Sequence, residues 1–279
     1  MNLLGIDFEE WYHPELIQRR LTTKDNKPSI INGIDKILEW LNKNETYATF
    51  FIVGDLLELK PELLDKILSN GHEIGFHTMH HTRLDSPNFK DVFLQELKHF
   101  DTLTSGKSRG FRAPTFSLNN SSAWAIDILA ENGYQYDSSV VPAKTNLYGI
   151  PNAGKKPYKI TSNSLEKDSQ EGKLIEFPLL TTKILGKNVP ACGGFYLRAL
   201  PSKIIENAID SNNQMDIPSS FYIHSWELTP EYMPKISMPL IDNFVTYHNL
   251  KGCMNKMDRL LKKFKFTSFG RYLSKNYTS

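Results

Sequence analysis

Short apolar runs alternate with amphipathic stretches along most of the chain. Leu3 to Phe8 reads as a buried strand, and Ile30, Ile31, Ile34, Ile37, Leu38 and Leu41 then recur at helical spacing after Pro28-Ser29. Tyr47 to Val53 is rich in β-formers and stops at Gly54. Pro61 sits where a first helical residue belongs, Leu63, Leu64, Ile67 and Leu68 share the following face, and Asn70-Gly71 supplies a left-handed stop. His72 to Phe76 predicts a short strand, Ser86-Pro87 opens a helix carrying Phe89, Val92, Phe93, Leu97 and Phe100, and Gly110 to Ala113 reads as a strand end. Trp124, Ile128 and Leu129 mark a helix closed by Asn132-Gly133, and Tyr134 to Asp137 is the next strand. From 140 to 173 Pro, Asn, Lys and Ser dominate and the periodicity vanishes, as in functional or irregular insertions. Order resumes with Leu174 to Phe177, a helix near Pro201 to Ile209, a strand from Ser220 to His224, and a last helix through Met254, Met257, Leu260, Leu261 and Phe264. This alternation predicts an α/β fold of parallel βαβ units, in one barrel or one open sheet. In either architecture, chemistry collects at the carboxyl ends of the strands.

Composition narrows the partners. With 33 Lys and Arg against 31 Asp and Glu, the 279-residue chain carries a net +2, too little field to favour nucleic acid. No window reaches the roughly 20 apolar residues of a transmembrane segment. The start, Met1 to Asp7, lacks a basic region before its short apolar run, so no signal peptide is expected and a cytoplasmic location is. Cys192 and Cys253 stand in dissimilar contexts and are expected to be reduced.

Four segments carry candidate chemistry, each at a predicted strand end. In Asp7-Phe8-Glu9-Glu10-Trp11-Tyr12-His13, strand alternation points Asp7 and Glu9 one way and Phe8 and Glu10 the other. Two converging carboxylates are costly unless a cation or proton separates them. In His77-Thr78-Met79-His80-His81, His77 and His81 have the spacing of paired imidazole ligands one helical turn apart, and His80 projects elsewhere. Arg112, within Arg109 to Ser117, can hold a carboxylate with its planar fork. His224 ends the apolar strand Phe221-Tyr222-Ile223 beside Trp226. One carboxylate with two imidazoles is the open, three-ligand pattern of catalytic zinc. A spare carboxylate beside it serves as base and a separate histidine as acid, which together describe metal-assisted amide or ester hydrolysis. Tyr148, Phe195, Tyr196 and Trp226 are aromatic candidates either for a ligand-binding surface or for ordinary packing, and Cys192 has no partner motif that would make it a nucleophile.

Together these motifs resemble the polysaccharide deacetylase family, and within it the bacterial subgroup linked to exopolysaccharide and O-antigen clusters. The matching stretches are Asp7 to His13, Gly71 to His77, Phe111 to Ser117, Tyr136-Asp137-Ser138-Ser139 and His224-Ser225-Trp226-Glu227. The resemblance implies a distorted (β/α) barrel with fewer than eight complete units, here a single catalytic domain over 1–279 with an irregular insertion at about 140–173. It implies removal of an N-acetyl group from an amino sugar, in a cell-surface polysaccharide, an oligosaccharide or its biosynthetic precursor, with a divalent metal ion, zinc first. Carried over, Asp7 is the general base, His77 and His81 are metal ligands, Arg112 orients and tunes the base, and His224 is the general acid. The Thr115 backbone N–H would hold the developing oxyanion, with Trp226 and Tyr196 at the substrate. Many relatives have adjacent aspartates where this chain has Asp7-Phe8-Glu9-Glu10, so the third ligand is Glu9 or Glu10, and alternation selects Glu9. Two other readings compete: a metal-dependent amidohydrolase on a non-sugar amide such as a ureide, discriminated by a small closed pocket, and a carbohydrate-binding pseudoenzyme, discriminated by a site unable to bind metal.

Overall fold

The structure, a computed structural model, describes residues 1–21 and 26–277. Its strands are β1 (Asn2–Phe8), β2 (Thr49–Ile52), β3 (Glu73–Phe76), β4 (Gly110–Phe111), β5 (Tyr136–Asp137), β6 (Tyr158–Ile160), β7 (Leu174–Glu176), β8 (Thr181–Ile184), β9 (Lys187–Pro190), β10 (Ser220–His224) and β11 (Phe266–Thr267). The main sheet runs β10-β1-β2-β3-β4-β5-β7-β6, parallel except for β6, with β11 also on β1. Beyond β7 the chain returns to β10: Leu180 N–H donates to Ser220 O at 3.0 Å and Tyr222 N–H to Cys192 O at 2.7 Å. The sheet thus curls into a distorted (β/α) barrel.

Period-2 alternation decides what fills it. On β1, Leu4, Ile6 and Phe8 join the large core beneath the surrounding helices, while Leu3 packs inside with Phe51, Tyr136, Ile175, Phe177 and Phe269. The inner face continues upward through Gly5 to Asp7. Gly5 is required there, because a Cβ would lie 2.5 Å from Arg112 Nη1 and 3.0 Å from the Phe51 ring. The carboxy-terminal helix Phe269–Asn276 closes the lower end, with Phe269 stacked 5.7 Å from Tyr136 and its Gly270 N–H donating to Glu73 at 2.8 Å.

Most predicted elements form near their expected positions. The chain after Ser29 enters its helix through a 3-10 turn (Ile30–Gly33) before Ile34–Lys43. The irregular stretch contributes β6, an antiparallel edge strand. Periodicity did not disclose the β8–β9 hairpin, the helices Gly194–Ala199 and Leu240–Tyr247, β11, or the terminal helix. Each is short, so few turns are available to reveal a period.

Candidate active site

The register brings the four candidate segments together. Asp7 pairs across the sheet with His224 of β10 and with Phe51 of β2, and His77 and Arg112 each follow directly after β3 and β4. Arg112 is fully buried. Its Nη1 donates to Asp7 Oδ1 at 2.7 Å, its Nε to Ser138 O at 3.0 Å and its Nη2 to Ser138 Oγ at 2.9 Å. The guanidinium lies 4.1 Å from the centre of the Phe51 ring. Four contacts fix one fork, so Asp7 is held on a rigid mount.

Next to Asp7, Glu9, His77 and His81 each offer a ligand atom within 4.8 Å of the others, and all three are buried. Glu9 Oε1 accepts from Trp226 Nε1 at 2.8 Å. Glu9 Oε2 is buried, with His81 Nε2 2.7 Å away as its ion-pair neighbour and no further hydrogen-bond partner. Burial alone would raise the Glu9 carboxyl, but the imidazoles of His81 and His224 outweigh it and hold the group ionised. Desolvation lowers His77 to about 4, so its ring is neutral. His77 Nδ1 lies 2.7 Å from Arg112 O, a contact that requires the proton on Nδ1 and leaves the Nε2 lone pair free. A buried carboxylate oxygen, two imidazoles and a carbonyl orienting one of them fit a divalent cation.

Glu10 points away, as alternation requires. Its carboxylate accepts N–H bonds from Ser29 (2.9 Å), Ile30 (3.0 Å) and Ile31 (2.7 Å) and caps the turn after the first loop. The expected helical turn between His77 and His81 does not form. Thr78 and His81 adopt positive φ, 58° and 55°, and the segment is a loop tied to the end of β2 by Gly54 N–H to Thr78 O and Asp55 N–H to Met79 O, both 3.0 Å. The rings still converge, 5.0 Å between centres, because the loop folds back on itself. His80 projects elsewhere and is exposed, beside Asp55 at 3.9 Å.

On the opposite flank, His224 Nδ1 meets Glu227 Oε2 at 2.8 Å, and Glu227 Oε1 accepts from Arg198 Nε at 2.6 Å. Burial would lower His224, but Glu227, with Glu9 and Asp7 behind it, raises it to about 9; burial would raise Glu227, but His224 and Arg198 lower it to about 2. His224 is thus a cationic imidazole aimed by a carboxylate, its Nε2 3.9 Å from Glu9 Oε1. Trp226, expected at the substrate, is only 4% exposed and stacks 4.6 Å from His224 while donating to Glu9.

These groups form the floor of a cavity of about 320 Å³. Its walls include Leu16, Thr115, Phe116, Leu147, Tyr148, Phe195 and Tyr196. Thr115 and Phe116 both have positive φ, 52° and 50°, a costly conformation for non-glycine residues. Tyr148 and Tyr196 both line the wall. Gly193 lets the chain cross β10 closely, since a Cβ there would fall 2.0 Å from Tyr222 O. The helix that follows then delivers Phe195, Tyr196 and Arg198 to the same cavity. Cys192 is buried, and that burial pushes its thiol up to about 12, which leaves it inert.

Residues 21–136 match the family described as polysaccharide deacetylase, and residues 138–274 match a domain of unknown function, DUF3473. The chain is similar to the polysaccharide deacetylase family over residues 21–136. A peptidoglycan deacetylase of Helicobacter pylori is 28% identical over 112 residues, covering 39% of this chain and 37% of that protein. A peptidoglycan-N-acetylglucosamine deacetylase of Bacillus cereus is 32% identical over 96 residues, 33% of this chain and 35% of the relative. The chain therefore spans about a third of the length of these curated relatives. Among solved structures, a Mycobacterium smegmatis protein assigned as a polysaccharide deacetylase superposes with a TM-score of 0.62 at 14% identity, over 98% of this chain and 90% of that one. A Puue allantoinase superposes at 0.55 and 12%, over 99% and 92%.

At this site, sequence reasoning assigned no separate role to Glu227, Arg198 or Ser138. Glu227 was readable in principle, three residues after His224 in one quoted motif. Arg198 carried no signal, because its reach to Glu227 depends on the unpredicted helix Gly194–Ala199.

Proposed function

We propose that this chain is a metal-dependent N-deacetylase that removes the acetyl group from an amino sugar of a polysaccharide, an oligosaccharide or a precursor of either. One observation carries this reading: three ligand-type side chains, Glu9, His77 and His81, converge on the pocket floor between a mounted carboxylate, Asp7, and a cationic imidazole, His224. Glu9, His77 and His81 would hold the ion, which when bound supplies Lewis-acid activation of the amide carbonyl and of water; the nitrogen-rich donor set suits zinc. Asp7, fixed by Arg112, takes a proton from the attacking water. Thr115 lines the wall at a positive-φ turn, and its N–H would receive the developing oxyanion. His224 gives its proton to the amide nitrogen so that the amine can leave, and Glu227 steadies the imidazolium before transfer. Deacetylase relatives that act on peptidoglycan and chitooligosaccharide support the substrate class.

The modest volume of the cavity, about 320 Å³, supports a second reading, hydrolysis of a small non-sugar amide, as in the allantoinase of similar fold. Acetate release is to be measured from a panel of N-acetylated mono- and oligosaccharides, with ureides read in parallel by their own products, each with and without chelator. Chelator-sensitive acetate from a sugar is the expected result. Ureide turnover alone selects the second reading, and no turnover with metal demonstrably bound contradicts both.

A further inference from the structure

One face beside the pocket is built for something other than water. On the helix Leu240–Tyr247, Leu240 is 90% exposed, Ile241 77% and Phe244 52%. Nowhere else among the described residues do three large apolar side chains of one helix stand more than half exposed. Clusters of this kind mark interaction sites. The same helix forms part of the pocket wall: Val245 and Thr246 line the cavity, and the Phe244 ring lies 5.8 Å from that of Phe195, another wall residue. Arg20, paired with Asp242 at 3.1 Å, ties the helix to the segment that supplies Pro14, Glu15 and Leu16 to the opposite rim. The apolar lining thus continues from the interior onto an open surface.

Charge selects the occupant. Carboxylates in this region are already paired, Asp242 with Arg20 and Glu231 with Lys36. Lys235 and Lys251, which bracket the helix in sequence, are exposed and have no carboxylate partner among the described residues. Exposed apolar side chains on a short helix, with exposed lysines on the segments just before and after it in the chain, suit an anionic lipid surface, where the apolar groups enter the acyl boundary and the lysines meet headgroups. We propose that the Leu240–Ile241–Phe244 face docks this protein on an anionic membrane surface, with the pocket mouth facing an N-acetylated sugar carried by a lipid in that surface. The sugar half of this proposal rests on the deacetylase reading; the docking half does not.

The test uses the full chain with sucrose-loaded vesicles of phosphatidylcholine alone or mixed with phosphatidylglycerol. Wild type is expected to sediment with the mixed vesicles and at least tenfold less with neutral ones. The double variant Leu240→Ser/Ile241→Ser, altered only at exposed positions, is expected to lose vesicle binding at least tenfold while its circular dichroism and its acetate release from a soluble N-acetylated oligosaccharide stay within twofold of wild type. Lys235→Gln/Lys251→Gln should weaken binding to mixed vesicles alone. With an N-acetylglucosaminyl lipid embedded in the vesicles, wild type should outpace the double serine variant at least tenfold. Absence of wild-type binding, or equal binding by the serine variant, would overturn the docking. So would a wild-type dimer in sedimentation velocity that the serine substitutions dissolve, since a second copy would then cover the face. Failure of wild type to release acetate from any soluble sugar overturns the deacetylase reading instead, and leaves vesicle binding to judge the docking.

Discussion

Two adjacent glutamates that follow β1 and point to opposite sides should fail in opposite ways when each is neutralised. Glu10 receives three backbone N–H groups, from Ser29, Ile30 and Ile31, at 2.7–3.0 Å. In Glu10→Gln the side-chain amide offers one acceptor oxygen, and its NH2 group faces N–H donors that then lack a partner. At about 1–3 kcal/mol for each buried unsatisfied donor, one or two such losses amount to about 2–4 kcal/mol. For a chain of this size that corresponds to a fall in Tm of about 5–15 °C. Metal content should be unchanged, because the Glu10 carboxylate faces away from His77 and His81. Glu9→Gln reverses the pattern. Its Oε2 accepts no backbone N–H and loses only its ion-pair contact with His81, so Tm in chelator should fall less than in Glu10→Gln. Outer-shell changes alone cost about 10–100-fold in metal affinity, so loss of this ligand should cost at least as much. The assay is metal content by elemental analysis after dialysis against a graded chelator, paired with Tm in excess chelator. If Glu10→Gln strips the metal at unchanged Tm, or Glu9→Gln binds metal as wild type does, the division of labour argued from β1 is wrong.

His224→Ala should keep its metal and lose about 10²–10⁴ in kcat, as removal of one general acid does; turnover equal to wild type would remove His224 from the reaction. Glu227→Gln should shift the alkaline limb of the rate profile to lower pH, because Glu227 is what lifts His224 to about 9 against burial, and an acid catalyst is lost above its own pKa; an unmoved limb would show that another group sets it. Asp137 and Glu176, both fully buried, are raised by burial and hold a proton between them. Groups raised in the folded state contribute stability that is complete below the unfolded carboxyl range and lost as pH rises through the folded value. The urea midpoint of wild type should therefore fall, relative to Glu176→Gln, as pH rises from the unfolded carboxyl range upward, and a pH-independent difference would contradict the shared proton.

Legibility followed local order. Strand alternation in β1 separated Asp7 and Glu9 from Glu10, because period 2 is fixed by backbone geometry and needs no tertiary information. The paired imidazoles were visible as a spacing, yet the helical turn inferred from that spacing was not, since the same gap is spanned by a loop with two positive-φ residues pinned to the end of β2. The Arg112 fork was foreseen, but its mount was not: Ser138 lies 26 residues away and meets Arg112 only once β4 and β5 are paired. Trp226, read as a residue at the substrate, lines the pocket and also stacks on His224 while its indole N–H donates to buried Glu9, a second task that no local pattern discloses. The pocket walls were the least readable part, built from short segments such as Gly194–Ala199 and Leu240–Tyr247 that carry too few turns for a period to show.

The most direct measurement is acetate released per chain from a soluble N-acetylated oligosaccharide as zinc is titrated into metal-stripped protein. The account predicts no release at the start, a rise that saturates at one zinc per chain, and no rise in Glu9→Gln over the same range. Full activity in the stripped protein, or one tightly bound zinc per chain with no acetate from any sugar, would contradict it.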